Sequence, residues 1–129
     1  MANERDGGAP LAGQRVLVVE DEMFVAYDIA YGIEDAGGTV VGPAPTVEEA
    51  MELIGERPTG AILDVNLLDG DVTPVLERLV ESGVPAVVNT GTARPWEMET
   101  VFPSVPVFTK PTDPEILTVA LGREISAGR

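Results

Sequence analysis

The stretch VLVVEDE, residues 16–22, sets four β-branched or aliphatic residues directly against three acids. A short, fully apolar run of this kind reads as a strand buried on both faces, and the abrupt switch to Glu20, Asp21 and Glu22 marks its end. Four more short apolar runs follow, at Thr39–Val41, Ala61–Leu63, Ala86–Val88 and Val105–Phe108. None alternates apolar with polar, so a parallel sheet covered on both faces is favoured over a half-exposed antiparallel one.

Helical signals fill the gaps between the runs. Val25, Ile29 and Ile33 recur every four residues and stop at Gly37 and Gly38. Thr46 with Glu49 is a capping-box pattern, followed by Val47, Ala50 and Ile54 before Pro58. Val72, Leu76 and Leu79 give a third face closed by Gly83 and Pro85, while Asp113 before Pro114 starts a last helix carrying Leu117, Ala120 and Leu121. The fourth helix, over 92–102, contains Pro95 and Trp96 and has no clean period, so it is expected to be short or irregular. Five βα units with right-handed crossovers predict an α/β, flavodoxin-like, doubly wound five-stranded parallel sheet in the order 2-1-3-4-5, with helices on both faces.

Composition narrows the chemistry. The 129 residues suit one domain with one core. Residues 1–14 read as a flexible N-terminal leader and 15–129 as the domain; the last helix runs almost to Arg129, which leads us to expect no attached output domain. The net charge of -14 opposes nonspecific attraction to nucleic acid or to an anionic membrane. There is no His and no Cys, which excludes imidazole bases, thiolate nucleophiles and Cys/His zinc sites. With no secretory hydrophobic segment and no run of about 20 apolar residues, a cytoplasmic location is expected.

In a doubly wound sheet the site lies at the carboxyl ends of the strands. Those ends carry Glu20 and Asp21, then Asp64, Thr90 and Lys110. Each has a plain structural reading: a helix cap for the acids, a turn for Thr90 with Gly91, an exposed side chain for Lys110. Their convergence on one edge argues for more. Two unit charges 4 Å apart repel by about 4 kcal/mol at an effective dielectric of 20, so three carboxylates there need a counter-charge. A hard divalent cation held by oxygen ligands, Mg2+, fits that need, and Lys110 adds a second positive charge. An Asp carboxylate beside a metal and a Lys is equipped to accept a phosphoryl group, and Thr90 could then donate a hydrogen bond to it.

The segments VLVVEDE, AILDVNLLDG (61–70), VVNTGT (87–92) and FTKP (108–111), in this order, resemble the receiver domains of two-component response regulators across about residues 15–125. The resemblance implies Asp64 as phosphoacceptor. It further implies Asp21, Asp64 and the backbone carbonyl of Asn66 as Mg2+ ligands, Glu20 acting through metal-bound water, Lys110 pairing with the phosphoryl group, and Thr90 moving onto it. The donor would be a sensor histidine kinase or a histidine phosphotransfer protein, and the output a downstream protein partner, with no nucleic acid and no membrane.

A finer likeness, partial, is to the subgroup whose fourth strand ends in a Phe-Ala-Thr-Gly-Tyr motif and which often serves HWE-type kinases. Here Asn89 and Thr92 replace the Ala and Tyr, and Val107 stands where ordinary receivers carry a switch aromatic.

Three rival readings are weighed against a phosphoacceptor. A pseudo-receiver acting as a constitutive interaction module would not need the acids, Thr90 or Lys110. An aspartate-nucleophile phosphatase usually has a second Asp two residues after the first, where this chain has Asn66. Flavin binding needs a phosphate-cradling loop where Glu20 and Asp21 would repel a phosphate.

Overall fold

A computed structural model describes residues 9–91 and 101–128. The elements run β1 (Arg15–Val19), α1 (Met23–Asp35), β2 (Thr39–Ala44), α2 (Val47–Leu53) with a 3-10 turn at Ile54–Glu56, and β3 (Gly60–Leu63). A small hairpin, β4 (Asn66–Leu67) and β5 (Gly70–Asp71), precedes α3 (Thr73–Glu81), β6 (Ala86–Thr90), β7 (Val107–Thr109) and α4 (Pro114–Ala127). The main sheet is parallel in the order β2-β1-β3-β6-β7, which is the expected 2-1-3-4-5 order once the hairpin is set aside.

Two cores explain why the strands carry almost no polar residues. Leu17, Val19, Leu63 and Val88 point to one side, where they pack with Ala50, Leu76 and Leu79 of α2 and α3. Val16, Val18, Ile62 and Val87 point to the other, against Ile29, Ile33, Leu117 and Leu121 of α1 and α4. Side chains alternate along a strand, so only a sheet with a helix layer on each face can bury both sets.

The edge strand β2 tolerates Pro43 because its outer N–H groups have no ladder partner to lose. Gly42 beside it has a φ of +100°, and a Cβ there would meet Ala44 N at 2.9 Å and Val18 O at 3.1 Å. On the opposite face α1 approaches α4 closely at Gly32, where a Cβ would come within 2.8 Å of Pro114 Cβ.

Helix ends mostly follow the sequence signals. Asp113 accepts a hydrogen bond from Glu115 N, with Pro114 in the first turn of α4. Thr46 accepts from Glu49 N as expected, but the N–H groups of Val47 and Glu48 donate to Asp69 in the hairpin instead. Those bonds, that of Val47 first, hold the Asp69 carboxyl below its ordinary value. The hairpin was not expected; its two-residue turn is Leu68-Asp69, which lacks the Asn-Gly or Asp-Gly pair that marks such a turn in a sequence.

Leu11 lies within the expected loose leader, yet it is fully buried among Val16, Ile33, Leu117 and Leu121, and its N–H donates to Ala36 O at 3.0 Å. A lone apolar residue has no period, so sequence patterning passes over it. Leu11→Ala should destabilise the fold by about 2–5 kcal/mol, the cost of a buried leucine cavity, measured as a lower midpoint in urea. A change below about 0.5 kcal/mol, the size typical of a surface site, would restore the loose-leader reading. The fourth-helix expectation, Trp96 and Thr92 fall on 92–100, outside the described residues; Phe102, just after them, is buried in the α2–α3 core. No described helix is long and apolar enough to cross a membrane.

Candidate phosphoacceptor site

Strand pairing brings the sequence-selected residues together. Asp64 N donates to Val19 O at 2.8 Å, which fixes the ends of β1 and β3 side by side, and Glu20 N donates to Ala44 O at the end of β2 at 3.0 Å. One carboxylate oxygen from each of Glu20, Asp21 and Asp64 then lies within 4.8 Å of the others. None of the three takes the plain helix-cap reading: Glu22 is the N-cap of α1, which has no side-chain cap bond, and among the described residues Asp64 Oδ1 accepts from the adjacent Val65 N at 2.7 Å.

Lys110 reaches the cluster from the end of β7, held by its own N–H donating to Thr90 O at 2.7 Å. Its ammonium stands 3.1 Å from Asp64 Oδ2, 2.9 Å from Glu22 Oε1 and 3.1 Å from Glu20. Glu22 was not singled out in the sequence; the only trace of its role is its place third in an acidic run. Thr90 is fully buried at the end of β6, paired in register with Thr109. Asn66 opens the hairpin two residues after Asp64 with its side chain exposed.

One ammonium cannot balance this many carboxylates, and the proton affinities of Lys110 and Glu20 both lie above their ordinary values, for different reasons. Burial alone would lower Lys110, but hydrogen bonds to Glu22, Glu20 and Asp64 outweigh it and hold the amine well above its ordinary value. Burial pushes the Glu20 carboxyl up to about 7, and the Asp64 charge adds to this, while the Glu22 N–H and Lys110 offset only part. Glu20 is 3% exposed, and although Lys110 Nζ lies 3.1 Å from both its oxygens, only Oε2 is aligned to accept. Oε1 is buried with no hydrogen bond among the described residues. A buried acceptor beside two further carboxylates is what a hard cation would satisfy, so the residues fit Mg2+.

The raised Glu20 value carries a pH dependence with a definite sign. Its folded pKa, about 7, exceeds the ordinary 4.5, so the folded state binds the proton more tightly than the unfolded state. Its contribution to stability is therefore whole below about pH 4.5 and is lost as the pH rises towards 7, an effect of up to about 3 kcal/mol. With a chelator present, wild type should lose stability between pH 5 and 8, and Glu20→Gln should show a flatter profile. Parallel profiles in urea denaturation would show that Glu20 carries no proton.

The chain is similar to solved response regulators and receiver domains. It superposes on the response regulator PhyR of Brucella abortus with a TM-score of 0.76 and 26% identity, covering 97% of this chain and 54% of that one. On the non-phosphorylated HemR receiver domain of Leptospira biflexa the TM-score is 0.75 with 25% identity, covering 88% and 94%. The chain has the fold of a response-regulator receiver domain. The chain is also 37% identical over 57 residues to the phyllosphere-induced regulator PhyR of Methylorubrum extorquens, covering 43% of the chain but 21% of that protein. The chain thus spans about half of the first PhyR and about a fifth of the second. No protein-family model matches it. The position that holds Ala in the Phe-Ala-Thr-Gly-Tyr subgroup is a buried Asn89 here, and Val107 is half-buried opposite Val88.

Proposed function

We propose that this receiver is a regulatory phosphoacceptor: Asp64 takes a phosphoryl group from a phosphohistidine of a sensor kinase, HWE-type kinases included, or of a histidine phosphotransfer protein. The observation that carries this reading is the buried Asp64 carboxylate held 3.1 Å from the Lys110 ammonium, with Glu20 and Asp21 beside it. An Asp64 oxygen attacks phosphorus, the P–N bond breaks, and the leaving imidazole keeps its electron pair and takes up a proton. The product is an acyl phosphate. Glu20, Asp21, Asp64 and the backbone carbonyl of Asn66 are the groups that would hold Mg2+, which when bound neutralises charge on the phosphoryl oxygens.

Lys110 supplies the second positive charge, already placed by the Thr90 carbonyl. It must exchange at least one carboxylate for a phosphoryl oxygen. Thr90 would turn its hydroxyl to the new group. The phosphoryl group carries near -2 charge and three strong acceptors. That change would alter the affinity of the surrounding surface for a protein partner. The protein turns over no free substrate in this reading, and its working place is the cytoplasm.

The test is a small-molecule phosphodonor such as phosphoramidate with Mg2+, read by intact mass and by lability to hydroxylamine. One labile phosphoryl group is expected, and a chelator present from the start should prevent its incorporation. No incorporation in wild type would favour a constitutive interaction module instead.

A further inference from the structure

On the α1–α4 face, next to the carboxylate cluster, a pocket of about 340 Å3 opens between α1 and the turn joining β7 to α4. Val25 and Ile29 line it from α1, Pro111 and Pro114 from the other side. Asn89 of β6 also lines it. Asn89 is 2% exposed, and its Oδ1 has no hydrogen-bond partner among the described residues. Buried amide oxygens are rarely left in that state, and one that lines a pocket is positioned to accept a donor brought by a ligand.

The charges around the pocket define the ligand. Its ionisable lining is Glu22, Asp28 and Lys110. The Lys110 ammonium is committed to Glu22, Glu20 and Asp64. Negative charge is therefore in excess at the rim. A ligand with an apolar stem, a positive head and several N–H donors satisfies the walls, the rim and the Asn89 oxygen together. A guanidinium does this better than an ammonium, being planar, multiply donating and less strongly hydrated. The source is indicated by α1 itself, where Met23, Phe24, Tyr27 and Tyr31 are 57–84% exposed on the helix that supplies Val25 and Ile29. Exposed large apolar side chains gathered on one helix mark a protein-binding surface.

We propose that this pocket receives an arginine side chain of a partner protein that docks on α1. The guanidinium donates to Asn89 Oδ1 and pairs with Glu22 and Asp28, its stem lies against Val25, Ile29 and Pro111, and apolar residues of the partner cover Phe24 and Tyr27. Neither a metal nor phosphorylation of Asp64 is required.

The test titrates the full chain with N-acetyl-arginine amide, following the Asn89 side-chain amide and the Val25 and Ile29 methyl groups by NMR. Saturating shifts are expected, and the uncharged N-acetyl-citrulline amide and N-acetyl-lysine amide should each bind at least about fivefold more weakly. Asn89→Val should weaken arginine binding by about tenfold, the effect of one lost hydrogen bond to a charged donor. Val25→Phe, which fills the pocket and leaves Asn89 in place, should do the same. A helical peptide presenting arginine beside leucines should bind at least about tenfold more tightly than its serine-substituted version. Shifts that do not saturate, or that persist in both variants, would overturn the site. Equal binding of citrulline or lysine would overturn the guanidinium assignment, and no gain from the leucines would overturn the protein source.

Discussion

Asp64→Asn should incorporate no phosphoryl group from phosphoramidate with Mg2+ while keeping the wild-type fold. An amide oxygen is too weak a nucleophile for phosphorus, so the loss should exceed about a hundredfold in rate, the low end of what positioned groups contribute to such chemistry. The same substitution should stabilise the metal-free protein. Asp64 is 6% exposed and shares one ammonium with Glu20 and Glu22, so removing its charge relieves repulsion of the order of 1–2 kcal/mol. Mg2+ should in turn raise the melting temperature of wild type more than that of Asp64→Asn, since binding to the folded state alone is stabilising. Loss of phosphorylation with an unchanged Mg2+ response would place the metal away from Asp64. Undiminished labelling would place the phosphoryl group on another residue.

Lys110→Ala should have the largest effect on stability, and one that depends on pH. In the wild type the Glu20 and Asp64 side chains, 1% and 7% exposed, have the Lys110 ammonium as their shared counter-charge among the described residues. Removing one member of a buried ion cluster leaves charge uncompensated, at a cost of about 3–5 kcal/mol. At pH 8 in chelator that full cost is expected. Near pH 5.5 Glu20 holds its proton in the folded state, given a value of about 7, so the penalty should shrink by about half. Mg2+ should recover part of the loss at pH 8. Lys110→Arg should recover little, because a compact ammonium meets three separate carboxylates here and a planar fork suits one or two. Urea midpoints at both pH values check this, and an equal loss at the two would mean that Lys110 acts through packing of its stem alone.

Some of this molecule could be read in the chain and some could not. Val16–Val19, Ala61–Leu63 and Ala86–Val88 announced buried parallel strands because a strand covered on both faces has no polar positions to interrupt it. Once the order of elements was known, the strand-end rule brought Glu20, Asp21, Asp64, Thr90 and Lys110 to one edge, since the residue after a strand must emerge at its carboxyl end. The fifth strand was read at Val105–Phe108 and forms at Val107–Thr109, where an apolar run alone does not fix the register.

The features that needed tertiary structure share a cause. Glu22 meets Lys110 across 88 residues of sequence, Asp69 leaves its own hairpin to hold the N-terminus of α2, and Leu11 fills a gap between α1 and α4. Asn89 looks in sequence like any polar residue near a strand end, and its place beside the α1 pocket depends on how closely the layers pack. Periodicity and caps report the backbone's local geometry, which a few neighbouring residues determine. Competition among several carboxylates for one ammonium, or the burial of a single side chain, is settled by distances that exist only after the layers have closed.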